Sequence, residues 1–328
     1  MTYAAPATLN SVTTSENAKA ARPCNLVLVG NRGVNHLGDF QRIQRYLAEE
    51  APSVHTHVCT DDVYRAWRWV AAARPTMVFS PVPLSHFRPV RGRVVTGQNL
   101  SKSEEYAALE AIGVPVPRYK MLTEADPKPD VTPLGQYVVV KPDRGGRGAN
   151  IRTMRATKAR WEPTESRISG KSDSLLAQEF IYTGPWPTSY RVTTLFGNVL
   201  WALKVEAART RAPMDGPESF GAKGGLTVVS NSKGCVMSPM NDPEIIAFGE
   251  AAHRAFPNIP LLGIDIVRRA TDGKLFVIEV NASGWVWHFS SPLGLRAQKE
   301  FGFKFEDQFD GIRKAARVLA TEARRQAC

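Results

Sequence analysis

The sequence contains few cysteines, and none of them is placed to act with another. They lie far apart and outside any Cys-x-x-Cys spacing, at Cys24, Cys59, Cys235 and Cys328. The pattern therefore indicates neither a disulfide framework nor a zinc site built from paired cysteines. We expect these residues to be ordinary thiols.

Long apolar runs are missing as well. No run approaches the roughly 18 residues that a membrane-spanning helix requires. Residues 1–22 lack the basic start and apolar centre of a secretory signal. We therefore expect a cytoplasmic protein without a membrane partner. The chain also contains neither the GxxxxGK[ST] phosphate loop nor a nucleophile elbow, so the chemistry of those enzyme classes is not indicated.

The chain carries a large positive charge. It has 42 Lys and Arg residues against 31 Asp and Glu residues, which gives a net charge of +11. These basic residues are spread along the sequence, which argues against nucleic acid as the partner. An anionic substrate such as a nucleotide, together with solvated surface charge, accounts for the excess of positive charge about as well as nucleic acid does.

The order of the elements predicts an α/β protein with several compact units. A strand at 25–30, a glycine turn and an amphipathic helix at 39–50 begin a doubly wound unit, which continues with a helix at 61–73 and a strand at 76–80. We expect four regions: a flexible arm at 1–22, an α/β domain at 23–98, a first α+β lobe at 99–174 and a second lobe at 175–328.

Two lysines are placed to meet an anion. Ser101 and Glu104 predict a capping box, which puts Lys102 in the first turn of a helix. A lysine there opposes the helix dipole, which makes sense if an anion binds beside it. A solvated lysine is the alternative. Lys141 ends an apolar strand at the core edge, where a phosphate would neutralise it.

A glycine-rich turn and a short linker follow. Gly145, Gly146 and Gly148 would let backbone amides approach phosphate oxygens at the tip of a hairpin. Further along, an extended segment would offer backbone N–H and C=O groups to a planar base while an apolar side chain packs on the ring. This segment consists of Gln178, Glu179, Phe180 and Ile181.

A second hairpin carries three side chains with oxygen ligands. The runs 261–269 and 274–281 flank an Asp-Gly turn. Alternation puts Glu279 and Asn281 on one face, where Asp265 from the first run would meet them. Such oxygens suit Mg²⁺, which usually completes its shell with waters and nucleotide phosphates. The alternative is that these residues merely face solvent.

Two further segments leave alternatives open. Lys204 follows a hairpin turn at Gly197, and Arg209 lies shortly after Lys204. Both cations would be able to reach a reacting phosphate or a carboxylate substrate. A solvated run of charge is the other interpretation. The aromatic residues Trp285 and Trp287 would shape a substrate pocket or pack a seam between domains.

Six motifs occur together in one order: Lys102 ahead of Gly113-Val-Pro-Val-Pro117, Val140-Lys-Pro142 with its glycine turn, Gln178-Glu-Phe-Ile181, Tyr190-Arg-Val192, Gly263-Ile-Asp-Ile266 and Ile278-Glu-Val-Asn-Ala282. This arrangement resembles the ATP-grasp superfamily, especially its carboxylate–amine ligases of the D-alanine–D-alanine ligase and RimK-like branches. The resemblance covers about residues 95–295.

The resemblance implies an N-terminal α/β pre-ATP-grasp domain followed by two α+β lobes that clasp ATP. Lys102, Lys141 and the glycine turn would bind the ATP phosphates, and residues 178–181 would bind adenine. The implied metal ligands for Mg²⁺ or Mn²⁺ are Asp265, Glu279 and Asn281. The implied catalytic contacts to phosphate or substrate are Arg191, Lys204 and Arg209.

The activity implied by the resemblance is the ATP-dependent joining of a carboxylate to an amine through an acyl phosphate, with release of ADP and phosphate. The substrates would be small molecules. Whether the protein forms a homodimer stays open. Three other interpretations also stay open. They are an ATP-grasp kinase of a small molecule, a RimK-like ligase acting on a peptide or another macromolecule, and a nucleotide- or RNA-binding module without turnover.

Overall fold

The structure is a computed structural model that describes most of the chain between residues 23 and 326. The residues outside the description are 1–22, 32, 62–72, 85–88, 90, 146–147, 149, 167–169, 173, 210–212, 215, 217–233 and 327–328. The predicted N-terminal arm and most of the predicted helix at 61–73 therefore lie outside the described residues.

A parallel sheet forms the first part of the described chain. Its strands are β1 (Cys24–Gly30), β2 (Val54–Thr60), β3 (Thr76–Ser80) and β4 (Gly92–Thr96), in the spatial order β2-β1-β3-β4. β1 and β3 are buried along their whole length, as continuous apolar strands of parallel sheets usually are. Helix α1 (Leu37–Glu50) follows β1, so strand, glycine turn and helix occur in the predicted order.

Helix α2 (Lys102–Ala111) leads into an antiparallel sheet. The strands of this region are β5 (Tyr119–Thr123), β6 (Tyr137–Pro142), β7 (Arg152–Arg155), the short pair β8 (Thr164–Ser166) and β9 (Gly170–Ser172), and β10 (Ser174–Glu179). Four of them form a sheet in the order β5-β10-β6-β7. β6 and β7 pair around the glycine turn, which confirms the predicted hairpin.

A third, antiparallel sheet contains the remaining strands. They are β11 (Thr188–Leu195), β12 (Asn198–Ala207), β13 (Cys235–Pro239), β14 (Leu261–Arg268) and β15 (Leu275–Asn281), in the order β13-β12-β11-β14-β15. The helices of this region are α3 (Pro243–His253), α4 (Pro292–Phe301) and α5 (Gly311–Gln326). Among the described residues, none of the helices is both long and apolar enough to span a bilayer.

Helix α5 begins later than the sequence pattern predicts. Its first residue is Gly311, whereas the spacing of the apolar residues Phe309, Ile312, Ala316 and Leu319 predicts a helix from about Glu306 to Gln326. Asp310 has a φ of 48°, which is incompatible with a right-handed helix, so the turn Glu306–Gln308 is a separate 3₁₀ element.

The aromatic segment after β15 packs a seam between the first and third sheets. Trp287 is fully buried, with ring centroids 5.4 Å from Phe40 and 6.3 Å from Phe79. Its Nε1 donates a hydrogen bond of 2.9 Å to the carboxylate of Asp39. Trp285, in contrast, is 51% exposed. Of the two roles considered for this segment, Trp287 therefore has the packing role.

The substitution Trp287→Ala is expected to lower the free energy of unfolding by about 3–5 kcal/mol, because it leaves a cavity in the seam. Trp285→Ala removes the same side chain from an exposed position, so its expected cost is below about 1 kcal/mol. Urea denaturation of both variants measures the difference. Equal losses would contradict the assignment of Trp287 to the seam.

The end of β15 meets the carboxyl ends of the parallel strands. The backbone N–H of Gln98, just after β4, donates to the carbonyl of Ala282 at 2.8 Å. Gly284 has a φ of 86° and lies so close to the carbonyl of Pro81 that a Cβ would collide with it. Open parallel sheets bind ligands beyond the carboxyl ends of their strands. The C-terminal end of β15 therefore lies beside the sheet edge at which open parallel sheets usually bind their ligands.

Candidate active site

Charged and polar side chains converge on one face of three neighbouring strands. Arg191 of β11 is opposite Asp265 of β14, and Asp265 is opposite Glu279 of β15. Asn281 follows two residues later and is opposite Gly263. Opposite residues share a face of the sheet. The structure therefore brings the three predicted metal residues together, and Arg191 joins them.

Arg191 and Asp265 form a buried ion pair that uses both carboxylate oxygens. Nε lies 2.6 Å from Oδ1 and Nη2 lies 2.6 Å from Oδ2, with side chains 13% and 14% exposed. Burial alone would lower the pKa of Arg191, but the charge and hydrogen bonds of Asp265 outweigh it and raise that pKa. Burial likewise raises the pKa of Asp265, and Arg191 opposes that rise.

The side chains on this face fit a hard divalent cation, with one condition. Glu279 and Asn281 supply a carboxylate and an amide oxygen, which are ligand types that Mg²⁺ takes. Asp265 would have to release one oxygen from Arg191 before it could join them. Within the ranges that the structure describes, no group of three or more His, Cys, Asp or Glu side chains is placed to hold a metal ion. The ligand set therefore depends on the amide of Asn281.

Helix α2 points its first turn at this face. The predicted capping box of Ser101 and Glu104 is present. Lys102 is 4% exposed; its Nζ donates to the carbonyl of Gly145 at 3.0 Å and lies 3.3 Å from Oε1 of Glu279. A solvated lysine, the alternative considered from the sequence, is therefore wrong. Lys102 bridges the glycine turn and β15.

Lys141 is buried in the same region. Its Nζ donates to the carbonyl of Ile278 at 2.8 Å and to the hydroxyl of Tyr106 at 3.0 Å. Burial lowers the pKa of Lys141 to about 8, and the charge of Glu279 opposes this shift. Both hydrogen-bond partners are neutral, so an anion that entered the site would stabilise the charged lysine.

The glycine turn after β6 adopts backbone conformations that favour glycine. Gly145 has a φ of 150° and Gly148 a φ of 71°. Gly146, the third glycine of the predicted phosphate-binding turn, lies outside the described residues. The contact between Lys102 and the Gly145 carbonyl shows that the turn reaches the N-terminus of α2.

The predicted linker follows β10 and lies beside the same sheet face. Gln178 is buried, and Ile181 packs with Val267 and Phe276 in an apolar cluster. Val267 is two residues beyond Asp265 in β14, so alternation puts this cluster on the charged face. An apolar cluster next to cations suits a planar base joined to phosphates.

The two middle residues of the linker have other partners. Phe180 packs with Tyr137 in a separate cluster. Glu179 lies 2.8 Å from Nε of Arg118 and 3.7 Å from Nη1 of Arg269. The sequence predicted that an apolar side chain of the linker, either that of Phe180 or that of Ile181, packs on the base. The side chain beside the charged face is that of Ile181.

Lys204 and Arg209 are not brought to Arg191. In the β11–β12 register Arg191 is opposite Leu203, the neighbour of Lys204, so Lys204 lies on the other face of the sheet. Both cations contact Glu206, at 2.6 Å and 3.2 Å. Their assignment as catalytic residues stays a prediction.

The sequence interpretation overlooked two residues of α2. Glu105 is 4% exposed, and its carboxylate accepts a hydrogen bond of 2.9 Å from the backbone N–H of Val280. Burial raises the pKa of Glu105 to about 8, and the charge of Glu279 adds to the rise. Tyr106 is fully buried, and its hydroxyl accepts the hydrogen bond from Lys141.

A signal for both residues was present in the helix spacing. Lys102, Glu105, Tyr106 and Leu109 have the spacing i, i+3, i+4, i+7 of a single helix face, and all four are buried. A lysine and a glutamate on the core-facing side of a helix must be paired or must serve a site, because burial of an unpaired charge is costly.

The fold is similar to solved structures over nearly its whole length. The ATP-grasp ligase PsnB, complexed with a phosphomimetic variant of a minimal precursor, Mg and ADP, is 16% identical with a TM-score of 0.53, covering 92% of this chain and 99% of that chain. The D-cycloserine synthetase DcsG is 17% identical with a TM-score of 0.51, covering 91% and 99%. D-alanine–D-alanine ligase from Bacillus anthracis, complexed with ATP, is 12% identical with a TM-score of 0.47, covering 92% and 99%. At these identities the likeness to PsnB and DcsG, both with TM-scores above 0.5, concerns the fold.

The family assignment comes from the sequence of the central region. A comparison with curated proteins yields no match. The family model described as an ATP-grasp domain matches residues 100–283, which is more than half of the 328 residues. The matched range runs from the capping box of α2 to the end of β15, so it contains both lysines and the three predicted metal residues. The chain belongs to the ATP-grasp family, and its mixed α/β architecture is the fold that the sequence motifs predicted.

Proposed function

We propose that this protein is an ATP-dependent ligase that joins a carboxylate to an amine and releases ADP and phosphate. The observation that supports this most strongly is the convergence of the buried Lys102 and Lys141 on the strand that carries Glu279. Two cations beside a strand with oxygen ligands suit a nucleotide triphosphate and its divalent ion.

The proposed nucleotide site uses residues from both antiparallel sheets. Lys102 and Lys141 bind phosphate oxygens, and the linker at 178–181 binds the base beside the cluster of Ile181. Glu279 and Asn281 hold Mg²⁺ or Mn²⁺. When bound, this ion neutralises charge on the phosphates and supplies a Lewis acid.

The proposed reaction has two steps. A carboxylate oxygen of the substrate attacks the γ-phosphorus of ATP, the bond from that phosphorus to the bridging oxygen breaks, and ADP leaves. The amine nitrogen then attacks the carbonyl carbon of the acyl phosphate, the bond from that carbon to the phosphate oxygen breaks, and the amine releases a proton. Positioning and charge stabilisation are the protein's main contributions to such a reaction.

Arg191 is the proposed contact to the reacting phosphate. Its guanidinium lies on the same face as Glu279, and the bidentate pair with Asp265 fixes its plane. A donor that is oriented before the reaction stabilises developing negative charge without reorganising. We place the carboxylate substrate beyond the end of β15, where Ala282 contacts the edge of the parallel sheet.

The test is ADP and phosphate release from ATP and Mg²⁺ against a panel of carboxylates, amino acids, amines and peptides. Turnover that requires both a carboxylate and an amine would establish the ligase. ADP release with an alcohol alone would replace the ligase with a kinase. Binding of ATP without turnover across the panel would contradict both enzymes.

The substitution Glu279→Gln is expected to reduce the rate of ADP release about 100-fold or more, because Lewis-acid stabilisation is worth several kcal/mol. Glu110→Gln, at an exposed position of α2, is the matched control and should retain the wild-type rate. A Glu279→Gln variant with the wild-type rate and wild-type Mg²⁺ dependence would remove Glu279 from the proposed metal site.

A further inference from the structure

Among the residues that the structure describes, no strand pairs with the outer edge of β15. β15 is the last strand in its sheet, so the backbone groups on its outer side need other partners. The N–H of Val277 donates to the backbone carbonyl of Pro115 at 3.0 Å, and side chains supply two further partners. The carbonyl of Ile278 accepts from Lys141 at 2.8 Å, and the N–H of Val280 donates to Glu105 at 2.9 Å.

These contacts adjoin the residues proposed to hold the metal. Val280 lies between Glu279 and Asn281 in the chain, so a shift of its backbone moves both side chains. Metal ligands must be placed to within about 0.2 Å of their preferred distances. A hydrogen bond that fixes the Val280 backbone therefore also constrains the positions from which the two ligands reach the ion.

Glu105 is suited to this task by its burial and its place on α2. A buried N–H that loses its acceptor is costly, so the carboxyl oxygen holds the Val280 backbone against the helix. The same helix also carries Lys102, which lies 3.3 Å from Glu279. Helix α2 thus contacts both the side chain of Glu279 and the peptide N–H that follows it.

We propose that Glu105 is a positioning residue that holds the backbone of Val280 and thereby sets Glu279 and Asn281 for metal binding. This inference rests on the proposed function only in assigning the metal to Glu279 and Asn281. In this proposal Glu105 contacts neither the ion nor the nucleotide and acts through the positions of Glu279 and Asn281. Its effect is therefore on metal affinity rather than on nucleotide affinity.

The experiment compares Glu105→Leu, Glu105→Gln and the control Glu110→Gln in the full chain. Glutamine keeps an oxygen that can accept from Val280, whereas leucine removes the acceptor. Three quantities are measured: the affinity for Mn²⁺ by electron paramagnetic resonance in the presence of a non-hydrolysable ATP analogue, the affinity for that analogue without metal, and the hydrogen-exchange rate of the Val280 amide in the metal-free protein.

We expect Glu105→Leu to weaken Mn²⁺ binding about 10- to 100-fold, the usual effect of losing a group that orients metal ligands. The Val280 amide should exchange at least about tenfold faster, because its hydrogen bond is lost. Affinity for the analogue without metal should not weaken. Glu105→Gln should retain most of the wild-type Mn²⁺ affinity and most of the wild-type protection of the Val280 amide from exchange.

The inference is overturned if Glu105→Leu leaves Mn²⁺ affinity and Val280 exchange unchanged, or if glutamine and leucine weaken Mn²⁺ binding equally. Failure of the metal assignment, the one part of the proposed function on which this inference rests, gives a different result. In that case the wild-type protein itself would bind no Mn²⁺ with the analogue, whatever residue occupies position 105.

Discussion

Replacement of Lys141 by methionine is expected to reduce ATP-dependent ADP release about 100- to 1000-fold, the range found when one donor to a reacting group is removed. Methionine has a similar length, so the packing of β6 is largely retained. The buried ammonium, which has only neutral partners before nucleotide binds, is lost. Steady-state rates at saturating ATP measure the effect. Lys128→Met, at an exposed position of the same region, is the control.

The pH dependence of ATP binding provides a second measurement on Lys141. Burial lowers its pKa to about 8, and only the protonated form attracts phosphate. ATP affinity of the wild-type protein should therefore fall as the pH rises through about 8, and the methionine variant should not show this fall. Isothermal titration calorimetry between pH 6 and pH 10 covers about two pH units on each side. The same pH dependence in the variant would assign the effect to another group.

The contribution of Lys141 to the free energy of unfolding should change with pH in the opposite direction to the ATP affinity. Between pH 8 and the ordinary lysine value of 10.5, the folded chain binds fewer protons at Lys141 than the unfolded chain does. The free energy of unfolding from this group therefore rises with pH in that window. A loss of ATP affinity above pH 8 without a loss of stability would separate titration of Lys141 from unfolding.

Removal of one partner of the Arg191–Asp265 pair is expected to lower the free energy of unfolding by about 3–5 kcal/mol, because the other charge stays buried without compensation. The double substitution Arg191→Met with Asp265→Leu removes both charges and should recover most of that stability. It should not recover activity, because Arg191 is the proposed contact to the reacting phosphate. Chemical denaturation of the two single variants and the double variant measures the coupling between them.

Acidification distinguishes the two single variants. In Arg191→Met, the remaining Asp265 is buried and its pKa is raised, so its neutral form is favoured in the folded chain. A carboxyl group with a raised folded pKa stabilises the fold at low pH, and this stabilisation is lost as the pH rises through that pKa. The loss of free energy of unfolding in this variant should therefore become smaller on acidification.

The exposed pair of Arg325 and Glu322 is the control. Arg325→Ala removes the exposed partner of Glu322 and should leave the denaturation midpoint nearly unchanged. Similar losses for Arg191 and Arg325 would contradict the importance of burial.

The sequence determined the local parts of the site. The capping box of Ser101 and Glu104 was predictable because both of its hydrogen bonds lie within four consecutive residues. The β14–β15 hairpin was predictable for a similar reason, since its Asp-Gly turn and the alternation of Glu279 and Asn281 are short-range features. The same is true of the hairpin around the glycine turn, and the order of these pieces was sufficient to predict the ATP-grasp fold.

Only the tertiary structure decided which side chains meet across the sheets. The family resemblance implied that Arg191, Lys204 and Arg209 are all catalytic contacts, but the register of β11 with β12 puts Lys204 on the face away from Arg191. A one-residue change of register reverses every face of a strand, and no local pattern fixes that register between distant segments. The hydrogen bond between Glu105 and Val280 joins residues 175 positions apart. The helix spacing was sufficient to indicate that Glu105 faces the core, whereas its partner followed only from the packing of α2 against the outer edge of β15.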